Sequence, residues 1–288
     1  MKRKVYITAV FVIVALAAAL WVRAGSESGA DDAPAPIGKG EGVSMLSLDK
    51  LRITVVYDNN PGAPGLRAEW GFACLVEGAD KRILFDTGGD APVLLANMDS
   101  LSIDPGDIDV VVLSHKHEDH TGGVRALLGV NPDVMLYVPE SFSGEFKSEM
   151  REAGAEVIEV KSPLEICGGV YSIGQMGTLI KEHSLALATD RGLIVITGCA
   201  HPGIVSIVER AREAIGGDVL LAMGGFHLRR DSDDTLDEVI AGFRDAGVLY
   251  AAPCHCSGDR ARERFGQAYG DNYLELVVGT VLEGSVLR

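Results

Sequence analysis

At 288 residues, with 47% hydrophobic and 23% charged residues, the chain has the length for one large domain or two small ones and the composition of a globular protein. Its formal net charge of −15 excludes the Lys- and Arg-rich surface that a nucleic-acid backbone requires of a partner. Beyond that exclusion an acidic surface confers solubility and identifies nothing.

The chain opens with the basic segment Met1-Lys2-Arg3-Lys4 and an apolar run from Val5 to Val22, long for a signal-peptide core and just long enough to cross a bilayer as a helix. Val22-Arg23-Ala24 before Gly25 offers a small-residue cleavage site, so residues 1–24 read as a signal peptide or a signal anchor. Residues 25–43 are small, acidic and Pro-rich, which reads as a disordered linker. Residues 44–288 are then the folded domain, expected to be exported to the periplasm or beyond the cell. It is either released or held by one membrane-anchoring N-terminal helix.

From residue 52 onward strand-like and helix-like stretches alternate. The strand-like stretches are 52–57, 71–77, 82–85, 109–113, 134–138, 156–160, 184–189, 193–197, 218–223, 248–251 and 274–278. The helix-like ones are 91–97, 122–128, 143–153, 203–215, 235–246 and 260–269. That alternation predicts a mixed α/β architecture in which a pair of sheets is covered by helices. Five cysteines at scattered spacing do not form a disulfide framework, and buried thiols near the site are the expectation.

One stretch carries the chemistry. Ile108-Asp109-Val110-Val111-Val112-Leu113 reads as a buried strand, and it runs straight into Ser114-His115-Lys116-His117-Glu118-Asp119-His120-Thr121-Gly122-Gly123. Three of the seven histidines lie within these few residues, with a carboxylate between the last two. Imidazoles and a carboxylate on a loop at the carboxyl end of a strand suit Zn²⁺, and also Fe or Mn. His201, His227 and His255 each follow the same grammar of apolar strand, small residues, then histidine. Histidines at the carboxyl ends of several strands can converge on one face of a sheet, where open α/β sheets place their ligands.

The segment His115-Lys116-His117-Glu118-Asp119-His120 resembles the HxHxDH signature of the metallo-β-lactamase superfamily. Phe85-Asp86-Thr87-Gly88, Gly198-Cys199-Ala200-His201-Pro202-Gly203 and His255 resemble its other motifs in the same order. Within the superfamily the chain is similar to the branch of the archaeal dihydropterin–ribofuranosylaminobenzene phosphate synthases and their bacterial metal-dependent hydrolase relatives. Tyr57-Asp58-Asn59, Glu69-Trp70-Gly71-Phe72, Met223-Gly224-Gly225-Phe226-His227-Leu228 and Cys254-His255-Cys256-Ser257-Gly258 carry that likeness, over roughly residues 50–285.

The resemblance implies an αββα four-layer sandwich with one or two metal ions at one edge. It assigns His115, His117 and His201 to a first metal, and Asp119, His120 and His255 to a second, with Asp86 supporting the ligands from behind. It implies metal-assisted attack by hydroxide on an ester, lactone, amide or phosphoester of a small molecule, with Asp119 and His227 in catalysis. Glu182, His183 and Phe226 are expected to line the substrate pocket. The alternative is a transferase in which the metal helps a diphosphate leave; a third reading is an exported metal- or small-molecule-binding protein without turnover. The chain departs from two-metal members at one place. The strand at 218–223 ends in Gly224-Gly225-Phe226-His227, where those members carry a bridging Asp.

Overall fold

The computed structural model describes residues 42–287, so the segment read as signal or anchor, and nearly all of the linker, lie outside the described residues. Two mixed sheets face one another. The first takes β1 (Arg52–Asp58), β2 (Phe72–Glu77), β3 (Ile83–Phe85), β4 (Val110–Val112), β5 (Met135–Pro139) and β6 (Glu156–Val160). The second takes β7 (Leu164–Cys167), β8 (Val170–Ser172), β9 (Leu185–Thr189), β10 (Gly192–Thr197), β11 (Val219–Gly225) and β12 (Tyr250–Cys254). The last strand, β13 (Val281–Glu283), returns to the first sheet, giving the orders β13-β1-β2-β3-β4-β5-β6 and β12-β11-β10-β9-β8-β7.

Side-chain alternation along the strands explains the layering. Val110 and Val112 point into the core between the sheets, with Phe72, Phe85, Leu187, Ile196 and Met223. Val111 and Leu113 point the other way, onto the outer helices α1 (Ala91–Ser100), α3 (Val124–Val130) and α4 (Gly144–Glu152). The short helix α2 (Glu118–Thr121) lies inside the histidine motif itself. On the far side Val195, Ala222 and Ala251 meet α5 (Ile204–Ile215), α6 (Asp233–Asp245) and α7 (Asp259–Tyr269). The expected αββα sandwich is therefore present. Asp90, Ser143 and Ser232 start α1, α4 and α6 by accepting from Val93, Phe146 and Thr235 N–H groups.

Three expectations need correcting. The stretch 274–278 is not a strand, although Leu276 and Val278 are buried. Leu274 N–H donates to Ala251 of the second sheet, while Val278 and Gly279 donate to Asn60 and Val55 of the first. The segment is a strap across the open edge of the sandwich, because its donors reach two different sheets. The antiparallel pair β7–β8 was not expected; it is short and turns at Gly168-Gly169. The helix expected at 122–128 runs from Val124 to Val130, and a separate short helix that was not expected, Glu118–Thr121, precedes it inside the motif. Among the described residues no helix is long and apolar enough to cross a membrane.

What positions the site is strand direction. β3, β4 and β5 run parallel in one sheet, and β10, β11 and β12 run parallel in the other. Their carboxyl ends carry Asp86, His115, His201, His227 and His255. Asp86, Ala200, His227 and His255 all adopt positive φ, between 47° and 58°. Such backbone costs energy in non-glycine residues and persists where tertiary contacts hold it, as it does at functional sites.

Candidate metal centre

Asp86 is the organiser. Its Oδ1 accepts from Ser114 N–H at 2.7 Å, and its Oδ2 accepts from Ser114 Oγ–H at 2.8 Å and faces His120 Nδ1 at 2.6 Å. An ionised carboxylate only accepts, so His120 carries its proton on Nδ1 and turns the Nε2 lone pair inward. The single Ser114 hydroxyl proton goes to Asp86. Ser114 Oγ must therefore accept from His115 Nδ1, 2.9 Å away, which leaves His115 Nε2 unprotonated, 3.0 Å from His117 Nδ1. One buried carboxylate thus sets two imidazole tautomers.

A second brace holds His255. Its Nδ1 meets Asn59 Oδ1 at 2.8 Å, its backbone N–H donates to Asp58 Oδ2 at 3.1 Å, and Asn59 Nδ2 donates back to its carbonyl. With Asn59 Oδ1 as acceptor, His255 Nε2 is again the lone-pair side. It faces Asp119 Oδ2 at 3.3 Å. A lone pair aimed at a carboxylate is repulsive unless a cation or a proton lies between them. His201 Nε2 is likewise buried with no hydrogen-bond partner. Burial, with the neighbouring imidazoles adding to it, pushes His115 well below its ordinary pKa and His201 down to about 4. That keeps both in the neutral form that binds a cation.

The ligand atoms form three groups, each with members within 4.8 Å of one another: His115, His117 and His201; Asp119, His120, Cys199 and His255; and Cys199, His227 and Cys256. The first two groups face each other, with the rings of His115 and His120 4.3 Å apart. The inward-turned lone pairs of His115 and His255 fit a cation. Against the effect of burial, the carboxylate of Asp86 raises His120 to a pKa of about 9, holding a proton that a bound cation would displace. The six residues expected as ligands are brought together here, and Asp86 stands behind them. His117, Asp119 and His201 are half-buried and His227 is exposed, so the centre opens to solvent on one face. His227 stacks at 4.4 Å on His201. The centre also gathers residues with no expected role: Ser114, Asp58, Asn59 and Cys199.

The three residues expected on a pocket wall lie elsewhere. Glu182 is 1% exposed. Its Oε1 accepts from Thr197 Oγ, Cys199 N and Ala200 N at 2.9–3.1 Å, and its Oε2 accepts from His201 N at 2.9 Å. His183 pairs Nδ1 with Ser172 Oγ at 2.8 Å and gives Nε2–H to the Leu113 carbonyl at 3.0 Å. Phe226 is buried against Phe243 and Phe265 under the outer helices. All three side chains are committed to the protein's own interior, bracing the loops that bear the histidines. The concave wall beside Asp119 is formed instead by Tyr57, Glu69, Trp70, Asp90, Val93 and Glu118, around a volume of about 360 Å³. The Trp70 ring lies 4.8 Å from the His255 ring, and the Arg229 guanidinium carbon lies over it, 5.2 Å from its centroid.

The profile of the metallo-beta-lactamase superfamily matches residues 71–239. The chain is 27% identical to a 7,8-dihydropterin-6-methyl-4-(beta-D-ribofuranosyl)-aminobenzene-5'-phosphate synthase of Methanocaldococcus jannaschii, over 84% of this chain and 99% of that protein. It also resembles the crystal structure of Tm1679, a metal-dependent hydrolase of the beta-lactamase superfamily. There the identity is 29% and the TM-score 0.67, over 81% of this chain and 98% of that one. The metallo-beta-lactamase fold protein YhfI of Bacillus subtilis shares the fold at 18% identity and TM-score 0.63, covering 82% of this chain and 100% of that one.

Proposed function

The chain belongs to the metallo-beta-lactamase superfamily, and from that membership we propose that it is a metal-dependent hydrolase of a small-molecule ester, lactone, amide or phosphoester. The observation that carries this reading is the pair of facing donor groups with their lone pairs turned inward and one face open to solvent. His115, His117 and His201 would hold one cation, and Asp119, His120 and His255 a second, with zinc the metal best matched to this imidazole-rich set. A bound divalent cation supplies Lewis acidity, polarising the electrophile's oxygen and acidifying water.

The chain's own groups do the rest. Asp119 is 21% exposed at its side chain and borders the concave wall, so its carboxylate can orient an attacking water. His227, exposed beside His201, would supply the leaving group's proton. Trp70 gives the wall an aromatic face, and the volume suits a small molecule rather than a polymer. The basic-then-apolar start of the sequence supports export of the protein, and so a substrate met outside the cytoplasm.

A second reading rests on the likeness to the Methanocaldococcus synthase: the cation would help a diphosphate depart and no water would attack. One experiment separates them. The full chain, loaded with zinc, is offered aryl esters, lactones, β-lactams, phosphodiesters and a diphosphate ester in ¹⁸O-labelled water. Hydrolysis predicts label in the product of at least one class, with the rate cut about a hundredfold or more in Asp119→Asn and abolished in His117→Ala. Diphosphate release that requires an added nucleophilic aromatic amine, with the organic group joined to that acceptor and label in neither product, supports the second reading. Turnover that survives in metal-stripped His117→Ala overturns both.

A further inference from the structure

At the end of β11 the chain has no carboxylate, yet the second donor group is not a residue short. Cys199 Sγ lies 3.1 Å from His120 Nε2, on the lone-pair side that Asp86 fixes. It shares a single group with Asp119, His120 and His255, every ligand atom within 4.8 Å of the others. Cys199 is 3% exposed, so solvent does not compete for the sulfur. His255 is 1% exposed and aims an unpartnered Nε2 into the same space. The backbone that carries the thiol is fixed, because Cys199 N–H and Ala200 N–H both donate to Glu182.

We propose that the Cys199 sulfur is the fourth protein ligand of the second cation, standing in for the missing carboxylate. Two nitrogens, one oxygen and one sulfur make a four-donor set of the kind zinc takes. A sulfur donor favours zinc and cobalt over manganese and magnesium, which prefer oxygen. On coordination the S–H bond breaks heterolytically, its proton passes to solvent and its electron pair becomes the metal–sulfur bond; nothing is oxidised or reduced. The neighbouring thiol does not fit this role. Cys256 is absent from the group that contains Asp119, and its Sγ points to the Cys199 carbonyl at 3.7 Å.

The inference rests on the metal-dependent reading above, and its test is chosen to fail separately. The full chain is stripped of metal and titrated with Co²⁺ alone, then with Zn²⁺ alone. Metal per chain is measured by elemental analysis and the cobalt form by absorption. The expected result is about two equivalents bound, with a near-ultraviolet thiolate-to-cobalt charge-transfer band that is retained in Cys256→Ser. In Cys199→Ser the band is lost and the stoichiometry falls by about one equivalent. Two equivalents of cobalt without the band in the unaltered chain overturn the sulfur ligand and leave the metal reading standing. A band lost in Cys256→Ser and kept in Cys199→Ser assigns the sulfur to the wrong residue here and also overturns the proposal. No cobalt and no zinc bound overturns the reading on which it rests. If one variant misfolds, the other still assigns the band, and absence of the band in the unaltered chain still overturns the proposal.

Discussion

Replacing Glu182 by Gln exchanges one oxygen for an NH₂ group beneath the loop that bears His201. Glu182 Oε1 takes three donors and Oε2 one. The amide keeps Oε1 as an acceptor and turns its NH₂ against the His201 N–H. One charge-assisted bond is lost, costing about 1.5–3 kcal/mol, and the donor left behind faces another donor. The three remaining bonds lose their ionic character as well. The sum is a destabilisation of about 3 kcal/mol, read as a fall in urea midpoint at unchanged slope in the presence of chelator. Because His201 moves with its backbone, metal affinity at the group with His115 and His117 should weaken by roughly ten- to a hundredfold, as when supporting hydrogen bonds of a metal ligand are removed. If Glu182→Gln unfolds within about 0.5 kcal/mol of the unaltered chain and only raises KM, Glu182 touches substrate and the bracing role is wrong.

Two further outcomes follow from the interior of the fold. Burial holds His183 at a pKa of about 4, against roughly 6.5 in an unfolded chain. The unfolded state then binds the extra proton, so the contribution is complete above pH 6.5 or so and is lost as pH falls towards 4, amounting to roughly 3 kcal/mol. In His183→Gln the stability difference between neutral and acid pH should shrink by about that amount in paired urea titrations; an unchanged slope would show that His183 titrates normally. Gly224→Ala places a Cβ 2.0 Å from the Thr197 carbonyl oxygen, at φ +113°, between paired strands. Thermal unfolding should report a loss above about 3 kcal/mol or no soluble protein; a melting temperature within a few degrees would mean that β10 and β11 can part without cost.

The sequence by itself determined the architecture and the ligands that sit close together in the chain. Val110 to Leu113 alternate between two apolar layers, so a strand buried on both faces is written in those residues. His115, His117, Asp119 and His120 need only a strand end and one short helical turn to converge. The strand-to-histidine grammar extended the reading to His201, His227 and His255. These features are legible because each depends on neighbours a few residues away.

Tertiary structure decided the rest. His255 owes its tautomer to Asn59, 196 residues distant, and His120 and His115 owe theirs to Asp86 and Ser114. Glu182 and His183 are pocket residues by the resemblance alone, yet both face inward, where backbone donors and acceptors from other loops meet them. The segment at 274–278 has a strand's alternation but finds partners in two sheets, so it forms a strap instead of a ladder. Cys199 lies two residues from a ligand, but nothing local says which way its sulfur points. A side chain's direction is fixed by which strands lie beside it and which buried groups demand a partner, and those neighbours are assembled only when the two sheets close on one another.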